Sequence, residues 1–192
     1  MGNGKISIIM GIYNCAKTLP EAIDSILAQT YENWELIMCD DCSTDDTYKI
    51  AEKYKNEYPE KMILVRNEKN CRLAFSLNHC LKYATGEYVA RMDGDDVSVP
   101  ERFEKQVRFL EEHPDIQLVG TAMQRFNDSG LHDIVIPPEN VDKYTLATQV
   151  PFCHATILTY KYVYDTLEGY TVAERTKRTQ DKDLWFRFFH KG

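Results

Sequence analysis

The sequence predicts an α/β fold in which helices cover both faces of a mostly parallel sheet. Short apolar runs alternate with amphipathic segments over about the first ninety residues, and this alternation is the pattern of a doubly wound sheet. The first run, residues 5–12 (KISIIMGI), is continuous and rich in isoleucine, as expected of a strand that is buried on both faces. No repeat or linker interrupts the chain, so we expect a single domain over residues 1–192.

The first half of the chain contains four predicted strands and three predicted helices. The first helix has a capping residue, Thr18, and a proline in its first turn, Pro20. In chain order, the predicted elements are a strand at 5–12, a helix from Thr18, a strand at 34–39, a helix from Ser43 or Thr44, a strand at 62–65, a helix at 73–84 and a strand from Gly86.

The second half is more irregular. Its clearest element is an amphipathic helix at 101–113, which ends at Pro114. The remaining predictions are a loosely alternating strand at 116–126, a turn at 128–130, a strand at 150–159, a short helix at 163–167 and a helix at 184–190.

Composition excludes several classes of protein. The net charge is −7, which argues against a general nucleic-acid binder, since such a protein needs a basic surface. The sequence shows no secretory signal and no apolar run long enough to cross a bilayer. We therefore expect a soluble protein located in the cytoplasm.

Two of the six cysteines, Cys39 and Cys42, have the spacing of a zinc-binding or redox pair. No matching second pair of zinc ligands follows them, and two aspartates lie between the sulfurs. A redox pair would be expected at a helix N-terminus with little acid nearby. We favour reduced cysteines that fill small apolar gaps.

An acidic turn follows the fourth predicted strand. Asp93 and Asp95 are two residues apart, so their side chains leave an extended chain on the same side, and Gly94 allows a tight turn between them. Carboxylates held this close repel one another, and a hard divalent cation removes that repulsion. Taken alone, the string from Asp93 to Asp96 is more often an ordinary polar turn than a metal site.

Polar clusters follow three of the predicted parallel strands. They are Tyr13-Asn14, Asp40-Asp41 and the acidic turn that begins at Asp93. Ligands of doubly wound sheets bind beyond the carboxyl ends of the strands, so we expect these clusters to converge in space. Tyr13 is interpreted as a stacking surface or, alternatively, as a core residue, and Asp40 as a strand-end cap or a ligand.

Six segments together resemble the nucleotide-sugar glycosyltransferases of family 2, and the match spans nearly the whole chain. In chain order they are Ser7 to Asn14, Ser25 to Tyr31, Asp40 to Asp45, Ala84 to Tyr88 running into Asp93 to Asp96, Pro100 to Phe103, and Gln180 to Trp185. The resemblance implies the GT-A fold, a Rossmann-like three-layer α/β/α arrangement. It also implies a nucleotide-sugar-binding half at 1–96 and an acceptor-side half at 97–192, which we expect to be truncated because relatives continue beyond Gly192.

The resemblance also implies roles for individual residues. Gly11 and Tyr13 flank the nucleobase, Asp41 accepts from a uracil ring N–H, and Arg72 lies near the diphosphate. Asp95 is the direct ligand of a Mn²⁺ or Mg²⁺ ion, and Asp93 contributes to the ribose or the metal. Asp181 is the base that takes the proton of the acceptor hydroxyl, and His154 faces the acceptor and leaving-group side.

By the same resemblance, the expected activity is metal-dependent transfer of a sugar from a UDP-sugar to a hydroxyl acceptor, with inversion at the anomeric carbon. The expected acceptor is a saccharide or lipid-linked saccharide of bacterial surface polysaccharide synthesis. Peripheral association with the inner face of the membrane is then an additional expectation. Two other functions fit the residues: a metal-dependent nucleotidyltransferase and a non-catalytic nucleotide-binding module.

The chain departs from the family pattern at two positions. Glycine stands at Gly11, where the family more often has proline, and glutamine stands at Gln180, where it more often has glutamate. The second change removes a like charge beside Asp181, and Asp183 is then a substitute candidate for the base. An alternative interpretation of Asp183 is an acid in the first turn of a helix, where the helix dipole favours it. His154 is equally interpreted as a hydrogen-bonded core histidine.

Overall fold

The structure is a computed structural model that describes residues 3–139, 141, 143–148 and 152–191. Within these residues the strands are β1 (Ile6–Ile12), β2 (Trp34–Asp40), β3 (Met62–Arg66), β4 (Tyr88–Arg91), β5 (Leu118–Val119), β6 (Met123–Asn127), β7 (Gly130–Val135) and β8 (Leu158–Tyr160). The α-helices are α1 (Leu19–Leu27), α2 (Thr47–Glu57), α3 (Leu73–Leu81), α4 (Arg102–Glu112), α5 (Lys143–Thr148), α6 (Lys161–Thr166) and α7 (Gln180–Lys191). Single 3-10 turns lie at His154–Thr156 and Glu174–Thr176.

Six strands form one sheet in the order β3-β2-β1-β4-β8-β5. Strands β1 to β4 are mutually parallel, whereas β8 and β5 join the sheet by antiparallel pairing. After β1 the chain winds outward through β2 and β3 and then returns to place β4 on the other side of β1. The predicted mostly parallel α/β fold is therefore confirmed, and its topological switch point lies between β1 and β4.

Apolar side chains of β1 pack on both faces of the sheet, as the continuous isoleucine-rich run predicts. Ile8 and Met10 belong to the core cluster that includes residues of α1 and α4. Ile9 belongs to the opposite cluster, which includes residues of α3 and α7. The sheet is thus buried between two layers of helices.

Two strand predictions in the second half are wrong in extent. The predicted strand at 116–126 is broken into β5 and β6, which belong to different sheets. The predicted strand at 150–159 is observed only from Leu158, since a 3-10 turn occupies His154–Thr156, and residues 150 and 151 lie outside the described residues. The hydroxyl of Thr156 takes part in both interruptions. Its oxygen accepts the backbone N–H of Thr121, just after β5, and the hydroxyl donates to the carbonyl of Cys153, just before the 3-10 turn.

The second helix begins later than predicted, at Thr47. The backbone N–H of Ser43 donates to the carboxylate of Asp40, and that of Thr44 donates to the side chain of Asn14. These bonds hold the chain in a turn and delay the helix. Asp40 therefore acts as the predicted strand-end cap, and it also pairs with Arg66.

In the part of the chain that the structure describes, every helix is too short or too polar to cross a bilayer.

Candidate active site

The acidic turn lies directly beside the residues that follow β1. The backbone N–H of Met92 donates to the carbonyl of Ile9, and the hydroxyl of Thr18 donates to the carbonyl of Gly94 at 2.8 Å. A Cβ atom added to Gly94 would lie 2.9 Å from Cys15 Sγ, so a larger residue here would force the Cys15 side chain or the turn to shift. The structure thus brings two of the three polar clusters together at the switch point, where doubly wound sheets bind ligands.

Asp41 completes the convergence on the other side of β1. Its backbone N–H donates to the carbonyl of Ile12 at 2.9 Å, and its buried carboxylate accepts three hydrogen bonds. The donors are Asn67 Nδ2 at 2.8 Å, the Cys71 backbone N–H at 2.8 Å and the Arg72 backbone N–H at 2.7 Å. A carboxylate has about four acceptor positions, so Asp41 retains the capacity for one more N–H.

Tyr13 and Gly11 lie at the same end of the sheet. The side chain of Tyr13 is 47% exposed, which leaves its ring free to contact a ligand and disfavours the core interpretation. Gly11 packs under the first turn of α3, because an added Cβ atom would lie 2.7 Å from Leu73 Cδ1. The exposed ring of Tyr13 and the start of α3 therefore lie at the same end of the sheet.

The carboxylates of the acidic turn differ in environment. Asp93 is ion-paired with Arg91, whose side chain is 1% exposed, and Arg91 Nε has no hydrogen-bond partner among the described residues. Asp95 is exposed and accepts no hydrogen bond from the described residues. The pKa of Asp96 is raised because the group is buried and because Asp93 and Asp95 lie nearby. Asp95 is therefore the carboxylate of this turn that is most open to solvent.

The acidic turn fits a divalent ion that is shared with a ligand. Within the described ranges, no three His, Cys, Asp or Glu side chains are arranged as a closed cage for a metal. Mg²⁺ and ions like it are usually held by one or two carboxylates together with substrate phosphates and water. The exposed carboxylate of Asp95 and the oriented carboxylate of Asp93 match that incomplete donor set.

A cleft of about 400 Å³ joins the acidic turn to the start of α7. Its lining includes Arg91 and Asp93 from the end of β4, and Gln180 and Asp181 from the first turn of α7. Asp93 and Asp181 are far apart in the sequence, but the fold brings them to the walls of one cleft. A carboxylate at a helix N-terminus is also favoured by the helix dipole.

Asp183 lies outside this cleft. Its carboxylate accepts hydrogen bonds from Thr171 Oγ1 at 2.6 Å and from Arg187 Nε at 2.9 Å. Burial opposes ionisation of Asp183, but these hydrogen bonds outweigh it and lower the pKa of the carboxyl. The geometry therefore favours the interpretation of Asp183 as a structural acid of the helix.

His154 lines the cleft, but both of its ring nitrogens bind other side chains of the protein. Nδ1 accepts the indole N–H of Trp185 at 3.1 Å, and Nε2 is 2.8 Å from the hydroxyl of Tyr170. Burial and the charge of Arg91 lower the pKa of the imidazole well below its usual value. The side chain thus has the bonding of a hydrogen-bonded core histidine, although it borders the cleft.

Arg72 has an unusual backbone conformation. It precedes α3 with φ 71° and ψ 167°, a region that is essentially restricted to glycine and costs on the order of 1–3 kcal/mol for other residues. Its side chain is exposed. Strain of this kind persists only where the surroundings enforce it, and here Asp41 accepts the Arg72 backbone N–H.

Two arginines of the cleft were missed by sequence reasoning. Arg91 lies within the strand that precedes the acidic turn, and a charged residue in a buried strand must have a partner. That rule, applied to its neighbour Asp93, could have identified the pair. Arg125 lines the cleft from β6 and pairs with Asp133 of β7, and no sequence pattern distinguishes it from other surface arginines.

The cysteine pair does not form a joint site. Cys39 is buried in the core, whereas Cys42 is partly exposed. The Cys39 thiol lies 3.5 Å from Asn67 Oδ1, and the Cys42 thiol lies 3.8 Å from the Glu68 carbonyl oxygen. Both cysteines are free thiols.

The doubly wound sheet with an acidic turn at its switch point places the chain in a class, the GT-A type of sugar transferase. A solved structure of S. aureus TarS 1-349 in complex with UDP has a similar fold, with a TM-score of 0.79 and 25% identity. The aligned region covers 96% of this chain and 55% of that one. The chain thus spans little more than half of that structure.

Sequence comparisons identify the family within this class. The model of Glycosyl transferase family 2 matches residues 7–165. EpsE of Bacillus subtilis (strain 168) is 53% identical over 188 residues, which are 98% of this chain and 68% of that protein. The O-antigen biosynthesis glycosyltransferase WbnJ of Escherichia coli is 32% identical over 97% of this chain and 72% of that protein. The chain therefore belongs to glycosyl transferase family 2.

Proposed function

We propose that the chain is a metal-dependent, inverting glycosyltransferase that moves a sugar from a UDP-sugar to a hydroxyl group of a saccharide. The observation that carries the proposal is the shared cleft, which is lined by Asp93 of the acidic turn and by Asp181 in the first turn of α7. In this proposal residues 1–96 bind the nucleotide sugar, and residues 97–192 supply the acceptor side. The cleft is where the two substrates meet.

The nucleotide would bind beyond the ends of β1 and β2. The exposed ring of Tyr13 offers a flat surface on which a uracil ring stacks, and Gly11 lies two residues earlier, in β1. The remaining acceptor position of Asp41 takes the ring N–H of uracil. Arg72, which is exposed beside this pocket, attracts the diphosphate. The likeness to TarS, which was solved with UDP and with UDP-GlcNAc, supports a UDP-linked donor.

A bound Mn²⁺ or Mg²⁺ ion would neutralise the negative charge that develops on the diphosphate as it leaves. Asp95 supplies an exposed carboxylate for such an ion. Asp93 is oriented by its ion pair with Arg91, so it supplies a second carboxylate to the ion or to the ribose. Two carboxylates from the turn and oxygens of the diphosphate together would form the kind of ligand set that usually holds Mg²⁺.

Asp181 acts as the general base in this proposal. A sugar hydroxyl is a weak nucleophile, so a carboxylate within hydrogen-bond reach must accept its proton as the new bond forms. The acceptor oxygen bonds to the anomeric carbon, the bond from that carbon to the diphosphate breaks, and Asp181 takes the proton. A single displacement of this kind inverts the anomeric configuration. Asp183 is engaged by Thr171 and Arg187, which leaves Asp181 as the base.

The process that we propose is the synthesis of bacterial cell-surface polysaccharide, with a saccharide or a lipid-linked saccharide as the acceptor. Similarity to WbnJ, which is named for O-antigen biosynthesis, supports this assignment. The reaction would take place in the cytoplasm, and at the inner face of the membrane when the acceptor is lipid-linked.

Calorimetry with UDP in the presence and absence of Mn²⁺ tests the donor half of the proposal. We expect tighter binding with Mn²⁺ and loss of this difference in Asp95→Ala. The Asp181→Ala variant serves as the matched control, because it removes a carboxylate from the other side of the cleft. It should retain metal-dependent UDP binding while UDP release from UDP-sugars falls to background. Equal UDP affinity with and without Mn²⁺ would contradict the proposal.

A further inference from the structure

We propose that the hydrogen bond from Trp185 to His154 positions the carboxylate of Asp181 in the cleft. The inference rests on the proposed function, since it takes Asp181 as the base. It assigns Trp185 and His154 as positioning residues that act through the helix, and it gives His154 no direct part in proton transfer.

Asp181 and Trp185 lie on the same face of α7. They are four residues apart, and residues at this spacing are neighbours along one side of an α-helix. Trp185 is fully buried, whereas Asp181 lies one turn earlier at the cleft. We therefore expect a shift in the position of the Trp185 side chain to move the first turn of α7 and, with it, the carboxylate of Asp181.

The indole N–H of Trp185 fixes the tautomer of His154. An indole nitrogen is always a donor, so His154 Nδ1, at 3.1 Å, must be the acceptor. The proton of the neutral imidazole is then on Nε2, which donates to the hydroxyl of Tyr170 at 2.8 Å. The hydroxyl of Tyr170 is in turn 3.1 Å from that of Tyr164. The hydroxyl of Tyr170 thus accepts from His154, whereas either tyrosine can be the donor in the bond between the two hydroxyls.

His154 belongs to the part of the protein that carries the acidic turn. Its neighbour Ala155 accepts a hydrogen bond from the buried guanidinium of Arg102 at 3.0 Å, and the same guanidinium donates to the carbonyl of Arg91 at 2.9 Å. The backbone N–H of Arg91 also donates to the carbonyl of Ile157. The 3-10 turn of His154 is thus fixed to the end of β4, immediately before Asp93.

The bond between Trp185 and His154 therefore spans the two sides of the cleft. One side, β4 with the 3-10 turn, carries Asp93, and the other side, α7, carries Asp181. A displacement of about 1 Å at a reacting group can lower a rate on the order of 100-fold. A directional bond between the two sides is accordingly expected to affect turnover more than ground-state binding of the nucleotide.

Trp185→Phe tests this inference, because it keeps an aromatic ring in the core and removes only the N–H donor and the second ring. In the full-length protein we expect kcat for UDP release from a UDP-sugar to fall at least ~10-fold, with the affinity for UDP and Mn²⁺ unchanged. His154→Asn should retain most of the kcat of the unaltered protein, because the Asn amide occupies the position of Nδ1 and can still accept the indole N–H of Trp185. His154→Gln should lose it, because the Gln amide occupies the position of Nε2. Unchanged kcat in a folded Trp185→Phe variant would overturn the inference.

The control variant is Tyr164→Phe, which removes a buried hydroxyl at the far end of the same hydrogen-bond chain. It should lower stability and leave kcat close to that of the unaltered protein. Nitrogen NMR of protein labelled in histidine reports the tautomer independently of activity, and a proton on Nδ1 of His154 would contradict the proposal. Absence of UDP release from the unaltered protein would overturn the proposed function and this inference together, whereas turnover that is insensitive to Trp185→Phe would overturn this inference alone.

Discussion

The carboxylate of Asp41 accepts the backbone N–H of Arg72 at 2.7 Å and so stabilises Arg72 in a backbone conformation with positive φ. The second oxygen of the carboxylate accepts from Cys71 and Asn67. The loop before α3 is therefore held against the end of β2 by one side chain. This bond links the shape of the nucleotide pocket to the free energy of unfolding, and substitutions at the two residues should separate those effects.

Arg72→Gly should stabilise the fold while weakening donor binding. A backbone at φ 71° and ψ 167° costs a non-glycine residue on the order of 1–3 kcal/mol, whereas glycine adds about 0.5–1 kcal/mol of conformational entropy cost. We expect the free energy of unfolding in urea to rise by about 1 kcal/mol. The same variant should bind UDP more weakly, because the guanidinium that attracts the diphosphate is absent.

Glu168→Gly is the control for Arg72→Gly. Glu168 also has a positive φ, 56°, but it follows α6, in the half of the chain that the proposal does not assign to the nucleotide. This variant should gain stability without any change in UDP affinity. A decrease in stability on Arg72→Gly, measured by the same urea titration, would contradict the assignment of strain to Arg72.

Asp41→Asn should destabilise the protein and weaken UDP binding together. The amide retains one acceptor oxygen, so its NH₂ group must face one of the two backbone N–H groups or Asn67, and a buried donor loses its partner. Such a loss costs about 1–3 kcal/mol, which urea unfolding measures. As the control, Asp46→Asn removes an exposed carboxylate that pairs with Lys49, and it should have no measurable effect because exposed ion pairs contribute little. Equal stability of Asp41→Asn and the unaltered protein would show that the loop does not depend on this carboxylate.

The fold of the first half follows from the sequence because its elements are determined locally. The run at 5–12 is apolar on both faces, and each apolar run is followed by a helical pattern of the right length. These regularities require a parallel sheet with helices on both faces. The positions of Tyr13, Asp41 and the acidic turn at strand ends follow from the same pattern, since carboxyl ends of parallel strands meet at one edge.

The second half could not be predicted to the same extent because distant hydrogen bonds determine it. The hydroxyl of Thr156 ends the strand at 118–119 by accepting from Thr121, and this contact exists only in the folded protein. The bond between Trp185 and His154 likewise depends on side-chain placement and on a tautomer. The sequence therefore predicts which strand ends converge, whereas the links between the two sides of the cleft required the structure.

Stability should fall with acidification because of Glu35. This buried carboxylate accepts hydrogen bonds from Lys5, Ser7 and Thr85. Burial opposes its ionisation, but those bonds outweigh burial and lower the pKa below its ordinary value of 4.5. The unfolded chain then binds the proton at a higher pH than the folded protein. The contribution of Glu35 to stability is present above pH ~4.5 and is lost as the pH falls through the lower folded value.

Glu35→Gln tests this pH dependence. The variant should be less stable at neutral pH, and its free energy of unfolding should decrease less between pH 5 and pH 3 than that of the unaltered protein, since one linked proton is removed. Urea unfolding at each pH provides the measurement. Parallel pH profiles for the two proteins would show that Glu35 does not titrate differently in the folded and unfolded states.

Gly94→Ala should reduce metal-dependent UDP binding with only a modest loss of stability. The added methyl group would lie 2.9 Å from Cys15 Sγ and 3.3 Å from Ile12 Cγ2, so either the Cys15 side chain or the acidic turn must shift. We expect the turn to move away from the end of β1 and to carry Asp95 with it. A matched substitution is Gly120→Ala, whose methyl group would meet Thr156 Oγ1 at 3.4 Å, close to ordinary van der Waals contact. Calorimetry should show weaker UDP binding with Mn²⁺ for Gly94→Ala and unchanged binding for Gly120→Ala. If both variants bind UDP and Mn²⁺ like the unaltered protein, the close packing of Gly94 does not determine where the acidic turn presents its carboxylates.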